Sequence, residues 1–232
     1  MSVQPPELPP LPASWPFPKR DPRPSLILGH GLEIPGQGGG WTLLAEGSLE
    51  GALSFEPLHG AFGRGGVGRA GNLVIRPYRR GGLLRFVNDR TYASPRRFLS
   101  ELHLHRALWE GGFPTVPPFG CAWRRRGWGV EGLYLSAFVP GRPWPRAWAA
   151  EAWPPVARAI AALADWGCWS PDLNATNVHL PEAGEPLLLD FDRAGFPGGD
   201  DLRVRYRARL LRSLVKLGAP GALRGRVAEG PW

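Results

Sequence analysis

Three polar side chains in the carboxyl-terminal third of the 232-residue chain have the types and the order that phosphoryl transfer requires. Asp172 is followed by Asn177, and a short apolar run then ends at Asp190. A phosphoryl group that moves from ATP needs a metal to neutralise its charge and a carboxylate to orient the attacking hydroxyl. We therefore predict that Asp172 is the catalytic carboxylate and that Asn177 and Asp190 bind Mg²⁺.

The segment 170–177 also has a purely structural interpretation. Asp and Asn favour turns because their side chains bond to nearby backbone groups, so this polar segment is compatible with a turn that satisfies its own backbone. The segment alone leaves both interpretations open. Asp190, at the end of a predicted strand, favours the metal site.

A glycine-rich segment earlier in the chain matches the pattern G-x-G-x-x-G at Gly63, Gly65 and Gly68. The match is weak by itself because the chain contains 32 glycines. A dinucleotide-binding loop lies between a strand and a helix, whereas here residues 72–78, typical of a strand, follow the glycines. The order favours a hairpin that covers the phosphates of ATP, with a flexible surface loop as the alternative. The chain has no Walker-type phosphate-binding sequence.

A kinase in which a hairpin covers the phosphates also needs a cation on the strand after that hairpin and an acid on the following helix. Arg76 lies in the predicted strand, and Glu101 lies midway along a helix predicted for residues 94–110. The two lysines, Lys19 and Lys216, are far from the hairpin in sequence, so the cation must be an arginine. Its guanidinium can bind phosphate oxygens or the glutamate through two hydrogen bonds. The alternative is that both residues are surface charges.

The remaining patterns predict an α+β fold with three segments. Residues 1–24 are rich in proline and are expected to form an extended arm. We interpret residues 25–138 as an N-terminal lobe, with short strands in 38–90, one helix, and two more strands in 119–138. Residues 139–232 are mainly helical and contain the predicted catalytic and metal-binding loops, including a short hairpin formed by residues 178–180 and 186–190.

Charge and cysteine content restrict the partners and the compartment. The net charge of +8 favours acidic partners, which include nucleotides, nucleic acids and anionic membrane surfaces. No apolar stretch of about 20 residues is present, so we expect neither a signal peptide nor a membrane span. Two isolated cysteines, Cys121 and Cys168, favour a reducing compartment over a disulfide framework or a structural zinc site.

Several segments resemble the lipopolysaccharide kinase family, and within it the 3-deoxy-D-manno-octulosonic acid (Kdo) kinases. They follow the family's order and cover roughly residues 55–217. The segments are 73–82, 98–101, 112–118, 171–177, 189–193 and 209–216. Two positions differ from the family pattern, because Ala164 and Ser170 stand where the family usually has histidine.

The resemblance implies a protein-kinase-like fold with two lobes, an antiparallel N-terminal sheet with one helix and a mainly helical C-terminal lobe. It implies transfer of a phosphoryl group from ATP, with Mg²⁺, to the 4-hydroxyl of a Kdo residue on lipid A. The implied location is the cytoplasmic face of the inner membrane, with the protein bound peripherally. Kdo-lipid A and an anionic membrane surface are then the expected partners, and nucleic acid is not. Family members tend to carry arginine at the position of Arg76.

Two alternatives to this function stay open. One is another small-molecule phosphotransferase of the same fold, acting on an aminoglycoside or a different sugar. The other is an arginine-rich binding module for nucleic acid or membrane that has a kinase shape without activity.

Overall fold

The computed structural model describes residues 7–47, 49, 55–58, 66–79, 90–198 and 201–230. Within these residues the chain forms a mixed α+β fold with ten strands and four α-helices. The predictions for Gly63 and Gly65 lie outside the described residues.

The chain divides into two compact units. The first contains Asp21–Arg106 and Pro117–Phe138, and the second contains Glu7–Arg20, Ala107–Val116 and Val139–Trp232. Residues 7–20 and 107–116, which the sequence patterns assigned to the arm and to the N-terminal lobe, thus group with the second unit.

The first unit is built on a seven-stranded antiparallel sheet. Its strands are β1 (Ile27–Ile34), β2 (Gly38–Ala45), β3 (Phe55–Pro57), β4 (Gly68–Ala70), β5 (Leu73–Pro77), β6 (Pro118–Arg126) and β7 (Gly129–Ala137). They lie in the order β1-β2-β6-β7-β5-β4-β3. A two-residue turn joins β6 to β7, and its first residue, Gly127, has the positive φ (58°) that such a turn requires.

Side-chain alternation gives this sheet two different faces. On β7, Leu133 and Leu135 enter one apolar core together with Ile75 of β5. Tyr134, which lies between the two leucines, and Arg76, which follows Ile75, therefore point to the opposite face. These two residues are directly paired across the neighbouring strands. This alternation places the predicted cation on the face that the first helix covers.

Helix α1 (Arg96–Glu110) covers that second face of the sheet. Phe98 and Leu102 are buried there in a cluster that includes Tyr78, Tyr92 and Tyr134. The helix begins two residues later than predicted and ends, as predicted, before a pair of glycines, the second of which has a φ of 84°.

The second unit contains three helices and a three-stranded sheet. The helices are α2 (Trp153–Asp165), α3 (Leu202–Lys216) and α4 (Gly221–Glu229), and the strands are β8 (Gly141–Pro143), β9 (Val178–Pro181) and β10 (Leu187–Leu188). Antiparallel pairing of β9 with β10 confirms the predicted hairpin. Strands β1 and β8 and helix α4 were not predicted from the sequence.

Residues 7–20 of the second unit form neither helix nor strand. Trp15 packs against Phe113 and Trp166, with ring centroids 6.0 and 5.9 Å apart. The indole N–H of Trp166 donates to the carbonyls of Pro9 and Pro10, both at 3.1 Å. Aromatic packing, rather than secondary structure, holds this proline-rich segment.

Both cysteines are buried free thiols. Burial raises the pKa of Cys168 to about 12, and it raises the pKa of Cys121 further. Neither thiol is therefore reactive at neutral pH in the folded chain.

No helix found among the described residues combines the length and the apolar character needed to cross a bilayer.

We predict that Phe98→Ala lowers the free energy of unfolding by about 3–5 kcal/mol, because the ring is fully buried between Tyr78 and Tyr92. Trp128→Ala is the control, since Trp128 is 73% exposed and its loss should change stability by less than about 0.5 kcal/mol. Urea denaturation measures both values. Equal midpoints for the two variants would contradict the assigned core.

Candidate active site

The loop that contains Asp172 is closed by hydrogen bonds to the main-chain carbonyl of that residue. The side-chain amide N–H groups of Asn174 and Asn177 both donate to it, at 2.7 and 2.8 Å. Asn177 therefore has its nitrogen turned toward the loop, which leaves Oδ1 as the atom that can bind a metal.

Asn174 makes the local turn contacts that the structural interpretation of this segment predicts. Its Oδ1 accepts from the backbone N–H of Thr176 at 2.8 Å and from the Thr176 hydroxyl at 2.6 Å, and so caps the short 3-10 turn Ala175–Asn177. Asn174 thus satisfies the turn interpretation, whereas Asn177 reaches back across the whole loop and its assignment to a metal stays a prediction.

Asp190 directly follows the residue that pairs with Asn177, because the β9–β10 pairing continues one step beyond the two strands. The backbone N–H of Leu189 donates to the carbonyl of Asn177 at 2.9 Å. Asp190 itself has a φ of 68°, in the left-handed region that few residues other than glycine adopt. Such conformations persist where the surrounding structure enforces them, frequently at functional sites.

The amide oxygen of Asn177 and the carboxylate of Asp190 suit Mg²⁺, which binds proteins through a few hard oxygen ligands and takes others from substrate phosphates and water. In the part of the chain that the structure describes, no group of three or more His, Cys, Asp or Glu side chains converges as a metal site. Asn177 and Asp190 thus offer oxygen donors of the kind that magnesium takes, and their assignment to the metal stays a prediction.

The carboxylate of Asp172 is bound by arginines that sequence reasoning did not select. Arg193 donates from Nε and Nη2 to the two carboxylate oxygens, both at 2.9 Å. A guanidinium nitrogen of Arg209 lies 3.8 Å from Oδ1. The only sequence signal for Arg193 was its place in the segment 189–193 that resembles the kinase family.

Helix α3 supports the start of the loop through Tyr206. Its hydroxyl accepts from the backbone N–H of Ser170 at 2.8 Å and donates to the carbonyl of Cys168 at 2.9 Å. Burial raises the pKa of Tyr206, so the hydroxyl stays protonated and can make both bonds. Ser170, one of the positions that differ from the family, is itself fully buried, and its hydroxyl lies 3.4 Å from the carbonyl of Asp190.

The same helix supports the rest of the loop through the next turns of its inner face. Arg209 Nε donates to the carbonyl of Leu173 at 3.0 Å, and the hydroxyl of Ser213 accepts from the backbone N–H of Ala175 at 3.1 Å. With Tyr206 these residues are spaced by three and four positions, which places them on one side of the helix.

In the first unit, Arg76 and Glu101 form an ion pair. Arg76 Nη2 donates to Glu101 Oε1 at 2.6 Å, and the hydroxyl of Tyr78 donates to the other carboxylate oxygen. The Glu101 side chain is 1% exposed and that of Arg76 is 27% exposed. The buried acid therefore fixes a cation that still reaches solvent. The assignment of both residues to nucleotide binding stays a prediction.

Aromatic rings complete the surroundings of Arg76. Its guanidinium carbon lies 5.3 Å from the ring centre of Tyr78 and 5.4 Å from that of Tyr134. The Tyr134 hydroxyl and His105 Nδ1 share a hydrogen bond of 2.5 Å. Burial, reinforced by the charge of Glu101, raises the pKa of Tyr134.

Gly68 is the one glycine of the predicted phosphate-binding pattern that the structure describes. It lies in β4, and a Cβ atom built on it would come within 2.0 Å of the ring of Phe55. Close packing against this ring explains the glycine without a ligand, and its assignment to nucleotide binding stays a prediction.

No family model matches the sequence. Among curated proteins it is similar to 3-deoxy-D-manno-octulosonic acid kinases. The identity is 33% over 157 residues with the protein of Xylella fastidiosa (strain 9a5c), 63% of each chain. It is 30% over 164 residues with that of Haemophilus influenzae (strain PittGG), 62% of this chain and 66% of the relative. It is 33% over 176 residues with that of Xanthomonas campestris pv. campestris (strain B100), 67% of this chain and 68% of the relative.

The chain belongs to the 3-deoxy-D-manno-octulosonic acid kinase family. This confirms the resemblance seen in the sequence segments. The matched region spans about 63% of the length of the Xylella relative.

We predict that Arg76→Met lowers the free energy of unfolding by about 3 kcal/mol, because it leaves the carboxylate of Glu101 buried without its guanidinium. Arg158→Met is the matched control, since its ion pair with Glu185 is exposed on both sides and should contribute less than about 1 kcal/mol. Urea midpoints give the comparison. Equal, small losses would show that the buried pair is not needed for folding.

Proposed function

We propose that this chain is an ATP-dependent kinase that phosphorylates the 4-hydroxyl of a Kdo residue in the lipid A-linked inner core of lipopolysaccharide. The names of its relatives support the acceptor. The observation that carries the reaction class is the closed loop of Asp172 and Asn177, which the β9–β10 ladder connects to Asp190.

The proposed fold is that of a protein kinase with two lobes. The first unit has the content of an N-terminal lobe, an antiparallel sheet with helix α1. The second unit has that of a mainly helical C-terminal lobe, whose β9–β10 hairpin follows the catalytic loop directly. The correspondence rests on the order of elements in each unit.

Each proposed residue has a defined chemical task. Magnesium-bound ATP supplies the phosphoryl group and the positive charge that offsets its oxygens. Asp172 orients the acceptor hydroxyl and accepts its proton as the hydroxyl oxygen bonds to the γ-phosphorus and the bond to ADP breaks. Oδ1 of Asn177 and the carboxylate of Asp190 hold the metal. Arg76, fixed by Glu101, binds phosphate oxygens.

The location follows from the acceptor. Lipid A is part of a membrane, so we place the protein peripherally at the cytoplasmic face of the inner membrane. The net charge of +8 supports attraction to an anionic lipid surface, which would attract each nearby arginine by about 1 kcal/mol.

We expect the purified protein with Mg²⁺ and ATP to phosphorylate Kdo-containing lipid A, and Asp172→Ala to lower turnover by roughly 10²- to 10⁴-fold because the hydroxyl loses its base. Asp165→Ala is the control, as Asp165 forms a comparable arginine pair at the surface of the same unit. Mass spectrometry of the lipid product gives the readout.

A fall of only a few-fold would contradict the role of Asp172. Phosphorylation of an aminoglycoside or another sugar, with no Kdo product, would identify a different phosphotransferase. Salt-dependent binding to nucleic acid without any affinity for ATP would identify a non-enzymatic binding module.

A second prediction concerns the metal. Asn177→Ala and Asp190→Asn should each raise the Mg²⁺ concentration for half-maximal turnover by roughly 10-fold or more, since each removes a proposed ligand. Glu185→Gln, at an exposed carboxylate of the same unit, should leave it unchanged. Titration of activity against Mg²⁺ at saturating ATP tests this. An unchanged magnesium requirement in both loop variants would remove these residues from the metal site.

A further inference from the structure

Two arginine side chains face the carboxylate of Asp172. Arg193 binds both of its oxygens, and Arg209 lies 3.8 Å from one of them. Asp165, another exposed carboxylate of the second unit, pairs with Arg203. At Asp172 two guanidinium groups converge on one carboxylate.

Supporting the loop accounts for the position of one of these two arginines. Arg209 Nε already bonds to the carbonyl of Leu173, which explains its position. Burial, followed by the charges of Arg212 and Arg193, works to lower the pKa of Arg209, whereas Asp172 is the only group that raises it. An additional anion beside Arg209 would act in the same direction as Asp172.

An anion that binds these two arginines must lie close to Asp172, because both arginines do. The Arg193 side chain is 55% exposed and that of Arg209 is 30% exposed, so a ligand in solution can reach both. A guanidinium binds carboxylate with two parallel hydrogen bonds, and Arg193 already has this geometry toward Asp172.

Resting on the proposed function, we propose that Arg193 and Arg209 bind the carboxylate of the sugar-acid acceptor and so select an acidic sugar over a neutral one. In a Kdo residue the carboxyl group is attached two ring carbons from the carbon that bears the 4-hydroxyl. One sugar residue therefore presents both groups, with its hydroxyl at Asp172 and its carboxylate at the arginines. Arg193 bonds to Asp172 in the free protein and shares its donors with the acceptor when the sugar binds.

The test compares free Kdo with its C1 carboxamide, which has the same hydroxyls and no charge. Calorimetric titration of the full chain should show that wild type binds the acid roughly 10- to 100-fold more tightly than the amide, as expected for a charge-assisted pair. Arg193→Gln should lose this preference by weakening acid binding alone. Arg158→Gln, which alters an exposed pair elsewhere in the unit, should retain it.

Further variants and turnover separate this inference from the proposed function. Arg193→Lys keeps the charge without the paired donors and should give an intermediate preference. Equal affinity of wild type for acid and amide, binding of neither, or an unchanged preference in Arg193→Gln would overturn the carboxylate site. The wild-type ratio needs no variant, so a variant that fails to fold leaves the test intact.

Phosphorylation of Kdo-lipid A, together with equal affinity for free Kdo and its amide, would support the proposed function and contradict the carboxylate site. Tighter binding of the acid than of the amide, without phosphorylation of any Kdo acceptor, would support the carboxylate site and contradict the proposed function. An equal loss for acid and amide in Arg193→Gln would assign Arg193 to the support of Asp172 alone.

Discussion

The candidate site depends on one hydrogen-bonded closure, in which the carbonyl of Asp172 accepts the side-chain amides of Asn174 and Asn177. Each such bond contributes only about 1 kcal/mol, so the loop cannot hold its shape by these bonds alone. Helix α3 adds three side-chain contacts along one face, and the β9–β10 ladder adds another at the far end. The loop is thus tied at both ends, and a loop held in this way suits the preorganisation that phosphoryl transfer requires.

The first unit shows the same principle in a more costly form. Removing Glu101 and Arg76 from water carries a desolvation penalty that an ion pair often fails to recover, so the pair is weak evidence for stability. It does give Arg76 one defined orientation, which the rings of Tyr78 and Tyr134 reinforce. An arginine held in this way can do at a phosphate what a lysine does elsewhere, with planar donors in place of a point charge.

Local patterns predicted most of the elements but not the contacts between distant residues. Helical spacing predicted α1, and the apolar run before Asp190 predicted β10, because both signals repeat within a few residues. Strand β1 was missed since its glycines and its exposed edge position weaken the alternation. Helix α4 was missed because it has little amphipathic pattern and contains Gly221 and Gly225, which have low helix propensity. The pair of Asp172 with Arg193 joins residues 21 positions apart, and the support of the loop by Tyr206 spans a larger distance; no sequence period encodes either.

Anomalous diffraction from crystals grown with Mn²⁺ and a non-hydrolysable ATP analogue would show whether Asn177 and Asp190 bind one metal ion, because Mn²⁺ replaces Mg²⁺ at oxygen sites and its position can be located directly. We expect a manganese peak about 2.0–2.3 Å from both Oδ1 of Asn177 and a carboxylate oxygen of Asp190, with nucleotide phosphate oxygens among its other ligands. A manganese ion bound elsewhere with the nucleotide present, or bound by neither side chain, would contradict this expectation.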